Sequence, residues 1–249
     1  MRLVDLDGKD PAETEYAKSL LKAREEAKSP LERDLDKAVN DYKNPLQTIA
    51  TLPFNSTEKS LQTVQKYDVE ITKAARDYSV EKEMVQAVLF QEMRFYNGGD
   101  PLADALVTQS YAYQQQLEHY AKSSGKGLGF PDAVIGYRED SSTGLGQAFA
   151  ATAIEAYNFR YDTQYNPNNW KDLKYFWDKL QDDAYSIEAT AMILAYKKSV
   201  LNDDLDREPT IAEIMMAYNG SGDLALKYMA VTSEYYKAFQ EHNETCGLE

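Results

Sequence analysis

The chain has 249 residues, 43% of them hydrophobic, with 12 glycines, 8 prolines and a formal charge of −14. That is apolar material for one large domain, or for one domain plus an extension. An acidic chain lacks the clustered Lys and Arg that phosphate contacts need, so a nucleic-acid groove is disfavoured.

Residues 1–55 read as a charged helical extension and linker. Pro11 suits the first position of a helix, with Leu20, Leu21 and Ala23 on its better face, and a second helical piece follows Pro30. Pro45 and Pro53 punctuate a linker. Asn55-Ser56-Thr57-Glu58 then supplies helix-start chemistry, and Leu61, Val64, Ile71, Ala74, Ala75 and Tyr78 recur at helical spacing. Ser79 is placed to cap the next helix, over residues 81–97. Asp100-Pro101 opens another towards Ser124, holding Tyr111, Tyr113 and Tyr120. Residues 125–147 hold six of the twelve glycines and read as a long loop, the kind that is often functional inside a compact domain. Helices follow over about 149–159, 170–180 and 184–201. Thr210 to Glu213 is a capping box that opens a helix ending at Tyr218-Asn219-Gly220, and a last helix runs over about 223–241. Strand-type alternation is scarce, so the expected fold class is all-α.

One carboxylate sits in an odd place. In the helix over 81–97, Met84, Val85, Val88 and Leu89 form an apolar stripe that continues to Glu92. Desolvation there, together with the negative end of the helix dipole, favours the protonated acid; the alternative is a glutamate at the edge of the stripe that reaches water. A carboxylic acid kept protonated near neutral pH is what a glycosidase uses as general acid. Other chemistry finds little support. The single Cys246 allows no internal disulfide. His119 and His242 read as surface residues without helical partner spacing, so no metal and no cofactor is expected. No apolar run approaches a membrane span. The first ten residues lack the basic and apolar parts of a signal peptide, so either the chain is made in the cytosol or Met1 stands where a leader was.

Three segments in order resemble the lysozyme-like lytic transglycosylases, the soluble lytic transglycosylase and goose-type lysozyme group. Gln91-Glu92-Met93-Arg94-Phe95 is similar to the family's Glu-Ser-x-Phe, with Met93 in place of serine. Ser142-Thr143-Gly144-Leu145-Gly146-Gln147, continuing to Thr152-Ala153, resembles Gly-Leu-Met-Gln followed by Pro-x-Thr-Ala, with Gly146 for methionine and Ala150 for proline. Ala217-Tyr218-Asn219-Gly220, then Lys227-Tyr228, is similar to the Ala-Tyr-Asn-Ala-Gly segment and its downstream tyrosine. Ser186-Ile187-Glu188-Ala189 resembles the family's Asn-Ile-x-x-Gly helix start, with the asparagine replaced. The resemblance covers about 60–245 and implies a catalytic domain over 56–245.

It further implies a helical groove for a peptidoglycan strand, cut at the β-1,4 bond between N-acetylmuramic acid and N-acetylglucosamine. Glu92 would be the general acid, and Tyr218 would hydrogen-bond it. Phe95, Gly144, Leu145, Gly146, Gln147 and Asn219 would meet the glycan. A transglycosylase needs no second carboxylate, because the muramoyl C6 hydroxyl attacks. An inverting muramidase needs a base roughly 6.5–9.5 Å from the acid. Asp140 is the candidate, Glu139 the second and Asp100 a third better explained by helix capping. The enzyme would act in the periplasm or outside the cell, as a wall-remodelling enzyme, a phage or cell-wall lysin, or an exported antibacterial effector with an immunity partner. The competing readings are a non-catalytic peptidoglycan-binding protein that keeps the groove, and an acidic helical adaptor.

Overall fold

The computed structural model describes residues 11–42, 55–95, 100–124 and 140–246. Most of the proline-marked linker, and residues 125–139 of the glycine-rich loop with Glu139, lie outside the described residues. Among those described, the regular structure is all-α, in eleven helices with no strand.

The first two helices, α1 (Pro11–Ala27) and α2 (Pro30–Tyr42), behave differently. From Lys18 onward the side chains of α1 are exposed, and a surface ion pair at 3.2 Å joins its Arg24 to Glu58, a contact that contributes little. In α2, Leu31, Leu35 and Val39 recur every four residues and are buried in the same core as the rest of the chain. Each such burial stabilises by about 1.5–3 kcal/mol. The second helix of the expected extension is therefore part of the main core.

The helical spacing over 57–78 is present but divided into α3 (Thr57–Lys66) and α4 (Asp68–Tyr78). Tyr67 leaves helical geometry at φ −103° and ψ 23°, and its hydroxyl donates to Asp183 far along the chain. Ser56 caps α3, accepting from the Lys59 amide at 3.1 Å. Ser79 does not cap the following helix. It ends α4 in the left-handed conformation, φ 55°, while the Val80 amide reaches back to the Ala75 carbonyl at 3.0 Å.

The helix carrying Glu92, α5 (Lys82–Phe95), is buried on nearly every side. Not only the Met84, Val85, Val88, Leu89 stripe but also Gln86, Ala87, Phe90 and Gln91 are buried. Such a helix belongs at the centre of a bundle. After α6 (Asp100–Ser124), α7 (Ala150–Tyr161) and α8 (Trp170–Leu180), the second central helix is α9 (Asp183–Leu205), started by Asp182 accepting from the Tyr185 amide at 2.9 Å. The expected capping box is present: Thr210 and Glu213 satisfy each other's backbone amides and start α10 (Ile211–Asn219). The last helix, α11 (Asp223–Cys246), packs along α5, α10 and α2. The Phe90 ring of α5 meets Tyr235 and Phe239 of α11 edge-on, with centroids 4.8 and 6.1 Å apart.

Candidate active-site cleft

Packing of α5 against α9, α10 and α11 leaves the last turn of α5 at a cleft of about 270 Å³. Glu92 and Phe95 line it from α5. Tyr218 and Asn219 line it from the end of α10, and Ile193 from α9. Ser142, Gln147, Ala148, Phe149 and Thr152 close it from the loop and the first turn of α7. Segments separated by up to about half the chain thus meet at one place. Among the described residues lining the cleft, Glu92 is the one carboxylate.

The loop wall is held by hydrogen bonds. Thr143 and Ala148 exchange backbone bonds at 3.1 Å each, closing a tight turn with Gly144 at φ 73° and Gln147 at φ 46°. Behind it stands α9. The Gly146 amide donates to Ser186 Oγ at 3.1 Å, and both Ser186 and Thr190 are fully buried. There is no room for side chains here. A Cβ at Gly144 would lie 2.1 Å from the Leu180 carbonyl oxygen, and one at Gly146 would lie 2.0 Å from Thr190 Oγ1. Glycine at 146 is therefore required by the fit of this turn onto α9. Asp104 of α6 accepts from Ser141 at 3.0 Å and Thr143 at 3.4 Å, tying the turn from another direction.

Several expected roles change. Gly144, Leu145 and Gly146 are not among the lining residues; they form the back of the wall. Gln147 lines the cleft, but its amide is used within the turn, donating to the Gly144 carbonyl at 2.8 Å and accepting from Ser142 at 3.3 Å. The Tyr218 hydroxyl donates to the Gly146 carbonyl at 2.7 Å, so it braces the loop rather than ending on Glu92. Burial first, then the nearby Glu92 charge, raises the Tyr218 hydroxyl above its ordinary range. Tyr228 of α11 is raised for the same two reasons, in the same order. Burial and the Glu92 charge therefore keep both phenols protonated, and the one Tyr218 proton is given to the Gly146 carbonyl. Tyr228 was visible as the downstream tyrosine of the third segment, but nothing in its sequence neighbourhood signals its burial beside Glu92.

Asp140 does not line the cleft. Its two oxygens accept from the Ala150 amide at 3.0 Å and the Ala151 amide at 2.8 Å, which satisfies the N-terminus of α7. Burial raises its pKa, opposed by these backbone donors. Met93 is turned from the cleft; with Leu89, Ile71 and Leu145 it lines a small apolar gap. Ser142, Phe149, Thr152 and Ile193 were not singled out as site residues from the sequence. Phe149 is 50% exposed, a large ring left open on the cleft wall.

His242 does have a helical partner, contrary to the reading of its spacing: Cys246 lies four residues on, with Sγ 3.7 Å from Nε2. No group of three or more potential metal ligands occurs among the described residues. No helix there is long and apolar enough to cross a membrane.

Compared with known proteins, the chain matches no family model, no curated protein and no solved structure.

Proposed function

We propose that this chain is a peptidoglycan-cleaving enzyme of the lysozyme-like type that breaks the β-1,4 bond between N-acetylmuramic acid and N-acetylglucosamine by the lytic transglycosylase route. The observation that carries the reading is convergence. Glu92 and Phe95, Gln147 and Thr152, and Tyr218 and Asn219 come from three separate resembling segments, and all six line one cleft. The departures support it as well. Met93 faces away from the cleft, and Gly146 is fitted to Thr190, so neither removes a group from the reacting centre.

In this reading Glu92 gives its proton to the glycosidic oxygen as the bond to the muramoyl C1 breaks. The N-acetylglucosamine leaves with that proton. The muramoyl C6 hydroxyl then attacks C1, its proton returns to the Glu92 carboxylate, and a 1,6-anhydro end is left. Tyr228, kept protonated beside Glu92, is the phenol that can give its proton to the carboxylate intermediate, since the Tyr218 proton is held by the Gly146 carbonyl. No second carboxylate is required. That agrees with a cleft whose described lining contains Glu92 as its one acid, and with Asp140 spent on the start of α7. The test is solubilisation of purified sacculi by the wild type and by Glu92→Gln. The reading expects release by the wild type and its loss in the variant. Binding to sacculi without release by either protein would replace it with a glycan-binding role.

A further inference from the structure

The end of α5 is tied to a residue that lies outside the expected catalytic domain. The last carbonyls of a helix have no partner within it, so a final turn frays unless another group holds it. Glu92 and Phe95 line the cleft from that turn, and both are only half-buried. Arg94 lies about 200° round the helix from Glu92 and is 9% exposed. Asn55 precedes Ser56, the cap of α3, and its side-chain amide donates to the Met93 carbonyl at 2.7 Å. In return, the Arg94 guanidinium donates to the Asn55 carbonyl. The base of this pair is itself fixed, because Thr57 and Ser60 bury the start of α3. Burial lowers the Arg94 pKa, opposed by the Tyr235 and Asp36 charges, so the guanidinium is held there at a cost. Filling the core does not explain it, since an apolar side chain of similar volume would do that as well or better.

We infer that Asn55 and Arg94 are positioning residues for Glu92: their two opposed hydrogen bonds clamp the last turn of α5 and so fix the angle at which the acid meets the glycosidic oxygen. The inference rests on the proposed glycan-cleaving reading of the cleft. Neither Asn55 nor Arg94 lines the cleft, so both act through the backbone of the turn. The buried core of α5 holds the helix as a body, and the clamp holds its final turn, where Glu92, Met93 and Phe95 are only half-buried. Without Asn55 the Met93 carbonyl turns to water and the turn loosens. A displacement of about 1 Å at a reacting group can cost about 10²-fold in rate. Gln147, Phe149 and Thr152 hold their places on the opposite wall, so substrate binding is kept and the loss falls on kcat.

The test compares initial rates of the full-length wild type, Asn55→Ala, Arg94→Lys and Arg94→Met on soluble peptidoglycan strands. Asn55 is only half-buried, so Asn55→Ala keeps its helical circular dichroism. The clamp predicts that this variant lowers kcat by about three- to thirtyfold with KM within about twofold of wild type. Arg94→Met loses at least as much, and Arg94→Lys, which keeps a charged donor, recovers part of the loss. Combining Asn55→Ala with Arg94→Met costs no more than the larger single loss, because either change opens the clamp. An unchanged kcat in Asn55→Ala, a rise in KM in place of the fall in kcat, or losses that multiply in the double variant each overturn the clamp and leave the cleavage reading standing. No release by the wild type overturns both.

Discussion

Two walls of the cleft are held in place by different forces. On one side, Glu92 and Phe95 ride on α5, a helix whose Met84, Val85, Val88, Leu89 and Phe90 are all buried. Their position follows from packing, and many small dispersion contacts fix it together. On the other side, Gln147 and Phe149 sit on an irregular turn. What fixes them is a set of individual hydrogen bonds, to Ser186, Asp104, Tyr218 and Asp140, and two glycines that let backbone lie flat on α9. Glu92 is thus on the packed wall, and Gln147 and Phe149 are on the hydrogen-bonded one. A packed helix loses position only when its core is breached, whereas a hydrogen-bonded turn can lose it through a single polar change.

That contrast can be broken at each point. The largest effect falls on chemistry alone. Glu92→Gln should lower the cleavage rate by about 10²–10⁴-fold, because a general acid is removed, while the melting temperature stays near wild type because the side chain is only partly buried. Rate assays and thermal melts on the same samples check both halves. Next comes the packed wall. Leu89→Ala, at a side chain 2% exposed, should cost about 2–5 kcal/mol in chemical denaturation. The turn responds to added volume instead. Gly146→Ala should cost about 1–3 kcal/mol and depress activity, since its Cβ would lie 2.0 Å from Thr190 Oγ1. Adding Thr190→Ala should recover part of both losses, and an additive double variant would contradict the clash.

Smaller still is the anchor of the turn to α7. Asp140→Ala should cost about 0.5–2 kcal/mol, as a lost helix cap does, and Asp140→Asn less, since one acceptor oxygen remains. Finally, Glu213 lies away from both walls and tests whether the end of α10, which carries Tyr218 and Asn219, depends on its start. Arg207 first, then the Thr210 backbone and hydroxyl, hold the Glu213 pKa down to about 2. A lowered carboxylate contributes stability that is present above its unfolded pKa of 4.5 and is lost as pH falls towards about 2. The melting-temperature difference between wild type and Glu213→Gln should therefore be positive near neutral pH and shrink through that window. A difference independent of pH would mean that the pair does not matter.

The same contrast explains what the sequence made legible. The all-α class, most helices, the Thr210–Glu213 box and the placing of Glu92 in a last turn all follow from apolar period and capping residues, which are local signals. The hydrogen-bonded wall is not local. Ser186 looks like an ordinary residue of α9, and Asp104 like a surface residue of α6; each is polar for a partner about 37–40 positions away. Asp140 looks like a free acid until the two α7 amides are seen to end on it. The same holds for Tyr67, which divides an otherwise continuous helical pattern in order to reach Asp183. Resembling motifs located the cleft residues, and the backbone path decided which of them face it. That is why Gln147 and Thr152 line it while Gly144, Leu145 and Gly146 stand behind.

The most direct test of the central claim, cleavage by one acid in a cleft whose described lining holds no second carboxylate, is the end-group of the products. Muropeptides released from sacculi by wild type, Asp140→Asn and Glu92→Gln would be compared by mass spectrometry. The account predicts 1,6-anhydromuramic ends from the first two and no release by the third. Reducing ends from the wild type, lost in Asp140→Asn, would contradict it and restore Asp140 as the base of a muramidase.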